Sequence, residues 1–550
     1  MKTALRSFAS SVSFCLVIAS AADAQTPSFD IVRFQLIGNV SVSTEEIQDV
    51  LRPYAGTGKQ FADVDNAREA VERLYRQKGL EFVQVVIPEQ EVTQGAITIR
   101  IVEGVVRTVA VTGNQYFDEE NVLAALPSLR TGAMPDMRRL SASTQLSNEN
   151  PAKQVKVMLG TLGDAGDIEA VVEVADANPQ RVFFTLDNTG TSATGNYRTG
   201  VAYQHANLFH RDHLASIAYT TSPDSPSGVR VRLYSIGYRL PLYRMGDSLE
   251  VVYGKSSVNS PSSSPTLGGL LGVNGKGDVL GLRWNHYLSR TGDQTAKLVL
   301  GMDNKYIDSR CTAFDGSEIS IAPPTPLVAG CVPYRTRPLS LAYAGQIQRA
   351  GMAVDYSAGL AYNLATGTRY TNLDGRTDRY SYLTPGNRST RDNFRVLRFA
   401  GAYLGALPHD WQLRIAGSGQ YSADPLVAAE QFSLAGASAV RGMDERAVTA
   451  DSGLLLTTEL YTPDLAARAG APGNLRALAF ADVAKGYNRH TGASAIQAST
   501  STSSMGAGIR YSYRRNVILR LDLARIVKSG TSATESSGDW RTQLSLVIGS

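Results

Sequence analysis

The sequence predicts two small α+β modules followed by a 16-stranded antiparallel transmembrane β-barrel. Three observations lead there. The N-terminus carries an export signal. A β-α-α-β-β order occurs twice in succession. Beyond Gln180 the chain becomes a series of alternating segments joined by connections that are short and long in turn. Their length of about ten residues is what crosses a bilayer as a tilted strand.

Lys2 and Arg6 form a basic start, and Phe8 to Ser20 is apolar or small but too short to span a membrane. Ala22-Asp23-Ala24 is the small-x-small pattern read by a signal peptidase, so residues 1–24 are expected to be removed. The alternative is a buried N-terminal helix. No later run reaches the roughly 20 apolar residues of a membrane helix. In lipid only helices and closed barrels satisfy their backbone groups, so the mature chain is periplasmic, secreted or a barrel.

Charge and ligand chemistry exclude several classes. Lys and Arg number 54 against 50 Asp and Glu, a net +4 over 550 residues, and no nucleic-acid partner is expected. The six histidines are scattered without metal-ligand spacing, so no metal and no cofactor are expected. His210 and His213 flank a short turn and read as solvent-exposed. Gly417-Ser418-Gly419 lacks the G-x-S-x-G spacing of a nucleophile elbow, and the chain does not read as an enzyme. Cys15 leaves with the signal. Cys311 and Cys331 remain as an even pair in an oxidising compartment, where a disulfide is expected. With no C-x-x-C it would tie a loop rather than catalyse.

The first module opens on Phe29 to Leu36, which alternates as a half-buried strand does. Gly38-Asn39 turns the chain. Ser43 caps a helix, with Glu46 three residues on and Ile47, Val50 and Leu51 on one face. A second helix from about Asp63 to Gln77 carries the stripe Ala67, Val71, Leu74 and Tyr75, and Gly79 ends it. Asp63 and Asp65 read as capping charges. Phe82 to Ile87 and Ala96 to Val102 complete the module as strands. The block Phe34 to Asn39 returns at Val109 to Asn114. Asp118 to Leu126 repeats the first helix, and Gln154 to Leu159 and Ile168 to Val174 repeat the closing strands. Two such copies imply an array of modules with open sheet edges that can accept a strand.

From Gln180 onward the helical periodicity vanishes. Val229, Val231 and Leu233 interleave with Arg230, Arg232 and Tyr234. Met505, Ala507, Ile509, Tyr511 and Tyr513 interleave with Gly506, Gly508, Arg510 and Ser512. Val517, Leu519, Leu521 and Leu523 interleave with Ile518, Arg520, Asp522 and Ala524. A soluble antiparallel sheet alternates too, but strand length favours a membrane barrel. Sixteen strands are predicted, starting near Arg181, Tyr197, His213, Val229, Leu249, Val279, Thr295, Leu339, Val354, Phe394, Gln412, Leu454, Leu475, Met505, Val517 and Trp540. The even count puts both barrel ends on the side where the modules lie.

Three motifs carry a family resemblance. Asp187-Asn188-Thr189-Gly190, followed by Thr194-Gly195 and Arg198, resembles a first barrel hairpin. Glu430 to Gly436 followed by Val440-Arg441-Gly442-Met443 resembles a sixth-loop signature, and Phe480-Ala481-Asp482 an F-x-D motif. Together with the modules they resemble the outer-membrane transporters of two-partner secretion, the hemolysin secretion/activation family. The resemblance implies POTRA 1 at residues 25–104, POTRA 2 at 105–177 and a barrel at 178–550, with the sixth outer loop (about 422–453) folded into the lumen. It implies that Arg441 meets Asp482; taken singly, the two would read as an exposed loop charge and a wetted lumen residue. Alternation puts Phe480 and Asp482 on the lumen side. The chain departs from the family pattern at Met443, usually aromatic, at Ala484 in place of glycine, and in its non-aromatic ending Ile548-Gly549-Ser550. It also leaves no room for a pore-plugging helix before Phe29.

The resemblance implies bacterial outer-membrane localisation, contact with lipid, and secretion of a partner protein of hemolysin or adhesin type. The partner's N-terminal transport domain would be read by the POTRA modules. No phosphate-binding glycine loop is present, so no hydrolysis step is expected. The alternatives are an outer-membrane protein insertase and a passive porin or receptor.

Overall fold

A computed structural model describes residues 28–38, 41–162, 166–227, 229–257, 262–263, 272–273, 276–309, 322–323, 328–372, 374–492 and 494–550. The signal-peptide reading lies outside these residues. Two compact units result, one ending at Gly104 and one built mainly from Val105 onward.

The first unit contains β1 (Phe29–Ile31), β2 (Arg33–Ile37), α1 (Thr44–Leu51), β3 (Gly56–Lys59), α2 (Phe61–Gln77), β4 (Val83–Val86) and β5 (Ala96–Glu103). The sheet runs β2-β5-β4, with β2 parallel and β4 antiparallel to β5. Ser43 caps α1 by accepting from Glu46 N. The Asp63 carboxylate accepts Gln60 N at 2.8 Å, whereas Asp65 pairs with Arg68 and caps nothing. Ile47, Leu51, Ala67, Val71 and Tyr75 close over Ile97, Ile99 and Ile101 as the core. The single strand read at Phe29 to Leu36 is two strands. It breaks at Val32, whose side chain is exposed and whose N–H turns to Gly95 O, and the first piece pairs with β3, which the sequence reading missed.

The second unit opens with the same topology: β6 (Val106–Thr112), α3 (Glu119–Ala124), α4 (Met137–Asn148), β7 (Lys153–Leu162) and β8 (Asp167–Asp176), in the sheet order β6-β8-β7. The repeat has a physical cause at two glycines. Gly38 (φ +115°) and Gly113 (φ +82°) end the first strand of each sheet. A Cβ there would lie 2.1 Å from Ile101 O and 2.4 Å from Val174 O, so only glycine passes over the last strand. Helix α4, capped by Asp136, was not foreseen.

The remainder closes into a barrel. Its strands are β9 (Gln180–Asp187), β10 (Arg198–Leu208), β11 (His213–Thr221), β12 (Leu233–Leu242), β13 (Asp247–Ser256), β14 (Gly277–Tyr287), β15 (Gln294–Ile307), β16 (Tyr334–Thr336, continued after Arg337 by Pro338–Arg349), β17 (Met352–Asn363), β18 (Arg395–Ala406), β19 (Gln412–Tyr421), β20 (Ser452–Tyr461), β21 (Asn474–Tyr487), β22 (Ser499–Tyr513), β23 (Val517–Lys528) and β24 (Trp540–Gly549). Every neighbouring pair is antiparallel, and β24 returns to β9, pairing Ser545 with Asp187 through to Gly549 with Phe183. Alternation sorts the two faces. Leu454, Leu456, Val483, Met505 and Leu523 point outward and exposed, while Asp482, Ser504, Asp522 and Ala524 point inward and are buried. Such an outward apolar band suits lipid.

Three sequence expectations are corrected. The fourth strand begins at Leu233, not Val229, and its phase is inverted: Val231 and Leu233 are buried while Tyr234 and Ile236 point out. The strand read from Met505 begins at Ser499. One helical turn, α5 (Leu465–Arg468), capped by Asp464, interrupts the all-β region.

Candidate functional site

Loop 6 (residues 422–451) joins β19 to β20. A short ladder of Phe432–Ser433 with Thr449–Ala450 draws its limbs together. Its tip lies against the inner wall. Gly442 (φ +91°) takes the left-handed geometry and brings the backbone to Ala524, where a Cβ would sit 3.0 Å from the alanine methyl. Val440 and Met443 are buried with Leu434, Val448 and Ala450 of the loop and Ala484 and Ile526 of the wall. Thr502 on β22 adds a hydrogen bond to Leu434 O.

Arg441 reaches Asp482 on β21. Its Nε donates to Asp482 Oδ2 at 2.7 Å, its Nη2 to Oδ1 at 2.8 Å, and its backbone N–H to Oδ2 at 3.2 Å. The guanidinium stacks on Phe480, 3.6 Å from the ring centroid. Both F-x-D side chains therefore hold one arginine, by a fork-shaped ion pair and a cation–π contact.

The sequence reading did not name the rest of this network. Arg441 Nη1 also donates to Glu459 Oε1 on β20 at 2.8 Å. Arg414 Nη1 and Tyr461 OH donate to Glu459 Oε2. Arg510 grips Asp522 with both Nη groups, at 2.8 and 2.9 Å. Three guanidinium groups (Arg414, Arg441, Arg510) thus face three carboxylates (Glu459, Asp482, Asp522). Charges taken out of water are costly unless matched, and this set is matched. Glu459 stands directly opposite Phe480 in the β20–β21 ladder, so the register of the motif strand was the signal that could have found it.

Arg414, Arg441, Glu459, Arg510 and Asp522 line a lumen cavity of about 1270 Å³ that extends from the loop 6 tip (Ala437, Ser438, Ala439, Arg441) to Gln145 and Glu149 of module 2. Its walls mix small, apolar and charged side chains.

Residues 166–511 match the family described as Haemolysin secretion/activation protein ShlB/FhaC/HecB, and residues 29–104 match the POTRA domain of ShlB type. The chain belongs to the haemolysin secretion/activation family. The Heme/hemopexin transporter protein HuxB of Haemophilus influenzae (strain 86-028NP) is 19% identical over 532 residues, which cover 94% of this chain and 87% of that protein. CdiB from Escherichia coli aligns with a TM-score of 0.67 at 16% identity, over 97% of this chain and 93% of its own. CdiB from Acinetobacter baumannii gives 0.65 at 16% identity, over 96% and 91%. These two likenesses are of fold. The chain is thus an outer-membrane two-partner secretion transporter with its POTRA modules in the periplasm.

In this transporter the second POTRA module is docked on the barrel rim. Lys153 Nζ pairs with Asp212 Oδ2 at 2.5 Å in the β10–β11 turn and with Asn121 Oδ1 at 3.2 Å, and neither side chain of the ion pair meets solvent. Burial pulls the Lys153 ammonium below its ordinary pKa, and the Asp212 charge opposes that shift. Tyr243 OH donates to the same Asp212 oxygen, and Asn150 Nδ2 donates to Ala206 O at 2.7 Å. From α4, Ser141 Oγ accepts Arg290 N, and Glu149 at the helix C-terminus pairs with Lys297 at 3.2 Å. Sequence reasoning missed Lys153 and Asp212 because no motif marks either.

The first-hairpin residues sit at the seam. Asn188 continues the β9–β24 ladder with its side chain: Nδ2 donates to Thr542 O at 2.7 Å and Oδ1 accepts Leu544 N at 2.8 Å. Asp187 accepts from Thr189 N and Oγ1. A Cβ on Gly190 would lie 2.0 Å from Gly195 O and 2.6 Å from Arg198 Nη1, so the turn closes only on glycine. Asp187 and Asn188 line the same cavity as Arg441. Cys331 is buried and disulfide-bonded; Cys311, its expected partner, lies outside the described residues. His213 is half-buried rather than solvent-exposed, edge-on between Phe209 and Tyr238, while His210 is exposed. Among the described residues no His, Cys, Asp and Glu group has metal-holding geometry.

Proposed function

We propose that the transporter passes an unfolded partner exoprotein of hemolysin or adhesin type through the barrel lumen. The partner's N-terminal transport domain docks first on the POTRA modules, by adding a strand to an open edge such as β4 or β7. The chain then threads the lumen and folds outside, and that folding supplies the drive. The Arg441–Asp482 pair sets the loop 6 tip against one wall while an extended chain moves past it. The apolar outer band rests in lipid throughout.

The observation that carries this reading is the polar cavity running from Glu149 of module 2 to Arg441 of loop 6. A conduit for an extended chain needs hydrogen-bonding and charged walls without a strong net sign, and Arg414, Arg441 and Arg510 beside Asp187, Glu459 and Asp522 in the lining supply them. The test is ion conductance of the purified full chain with and without the N-terminal domain of the protein encoded beside it. Blockade by that domain supports passage through the lumen. Conductance indifferent to it, with normal barrel assembly in its absence, returns the chain to a passive pore. Barrel-assembly defects on deletion favour an insertase.

A further inference from the structure

Loop 6 is held at a second place, its base. Asp451 is its last residue before β20, and its carboxylate is fully buried. Five donors from three loops converge on it. From loop 5 (residues 364–394), Arg388 brings both Nη groups, Nη2 at 3.2 Å. From the descending limb of loop 6 come Leu426 N at 3.0 Å and Gln431 Nε2 at 2.9 Å. From loop 7 (residues 488–498) comes Arg489 N at 2.8 Å. Arg388 is equally satisfied: Nη1 also donates to Arg489 O and Nε to Pro385 O, each at 2.8 Å.

The surroundings make this a two-state contact. Neither charged side chain has any solvent exposure. Beneath them Tyr380 and Phe394 of loop 5 pack on Leu426 and Val427 of loop 6, and Thr390 Oγ1 donates to Pro425 O at 2.6 Å. A dry, fully bonded ion pair does not loosen gradually. Moving loop 5 off loop 6 strands both charges, and moving loop 7 away strips one hydrogen bond from each of them, so the three loops hold together or part together. Loop 6 also lines the lumen cavity through Ala437, Ser438, Ala439 and Glu445, so its base and its tip tether together hold that lining in place.

We propose that Arg388 and Asp451 form an outer latch, a positioning pair that holds loops 5, 6 and 7 shut over the lumen and separates when cargo leaves. It acts apart from the Arg441–Asp482 tether, which fixes the tip. The proposal rests on passage through the lumen. Its readout needs no cargo, so failure of the latch and failure of that reading are told apart.

The experiment is resting ion conductance of the purified full-length transporter in planar bilayers, beside protease nicking from the outer face of whole cells. Arg388→Gln is expected to raise the open fraction about tenfold, equivalent to about 1.4 kcal/mol. Asp451→Asn should do likewise, and the double variant no more than either alone, because one contact is lost in each case. Arg388→Lys, which keeps the charge, should return toward the parent. Nicking should rise in the same order. Parent-like conductance and nicking in Arg388→Gln and Asp451→Asn, with the barrel still showing its heat-dependent gel mobility, overturns the latch. So do additive effects in the double variant. If these proteins do not insert, Thr390→Val, which removes only the loop 5 to loop 6 hydrogen bond, must give a smaller rise in the same direction; no rise overturns it.

Discussion

Arg441 holds Asp482 at three points, with Nε, Nη2 and its own backbone N–H all donating to one carboxylate. The backbone bond means that the loop tip itself, not only a long side chain, is registered on β21. Replacing Arg441 with Ala strands Asp482 beside Glu459 and Asp522 with one cation fewer. Breaking a buried pair costs about 3–5 kcal/mol. The expected outcome is export reduced at least tenfold (about 1.4 kcal/mol per factor of ten) with the barrel still inserted, measured by secretion of the co-expressed partner beside heat-dependent gel mobility. Arg441→Lys keeps the charge but loses the fork and should fall between the two. Unchanged export in Arg441→Ala removes the tether from the mechanism.

The junction of module 2 and barrel turns on Lys153. Lys153→Met leaves the Asp212 carboxylate buried with no cation, at a cost of about 3–5 kcal/mol. Thermal unfolding of the full chain should begin earlier, and protease should cut first near the β10–β11 turn. Lys153→Met combined with Asp212→Asn removes both charges and should recover most of the loss, because Asn tolerates the φ of +60° at that position. A double variant as weak as the single one excludes the ion pair as the cause.

Seam closure depends on Asn188. Asn188→Ala opens two backbone groups, Thr542 O and Leu544 N, at a cost of about 1–3 kcal/mol. The temperature at which the folded barrel band converts to the unfolded one should drop. A cysteine pair at Leu186 and Leu546, which face each other across the ladder, should restore it when oxidised. No drop in Asn188→Ala means that the side chain adds nothing to the seam.

The repeated glycines give a paired comparison. Gly113→Ala places a methyl 2.4 Å from Val174 O and should destabilise module 2 by more than about 3 kcal/mol, beyond ordinary backbone strain. Gly132→Ala has the same φ of +82° but open space around it and should cost only about 1–2 kcal/mol. Limited proteolysis of the two variants measures the difference; equal sensitivity assigns the whole effect to φ.

Much of the barrel was legible because lipid enforces alternation. His213, Gln412, Val517 and Trp540 begin their strands where the pattern places them. Where lipid does not face the strand, the signal fails. Ser499 to Ser504 carries no apolar face because Thr502 and Ser504 turn toward the buried interior, Thr502 bonding loop 6, so the strand reads as a loop. Val231 and Leu233 are apolar members of their alternating run, yet they pack together inside. Helix α4 escaped notice because its second face meets a polar rim: Ser141, Gln145 and Glu149 break the stripe that Leu140 and Leu146 begin. The motifs located Arg441 and Asp482. Glu459, Lys153 and Arg388 have no local pattern, since each owes its role to a partner on a distant segment.

The cylinder is finished by its last piece. Trp540–Gly549 hydrogen-bonds Val517–Lys528 on one side and Gln180–Asp187 on the other. Until those ten residues arrive, two ladders of amide and carbonyl groups stay unpaired, and hydrocarbon offers them nothing. A nascent or truncated copy is therefore a curled sheet with sticky borders, prone to clump in the aqueous compartment. Closure thus falls to a single stitch, the segment whose two borders meet the first and the penultimate strand.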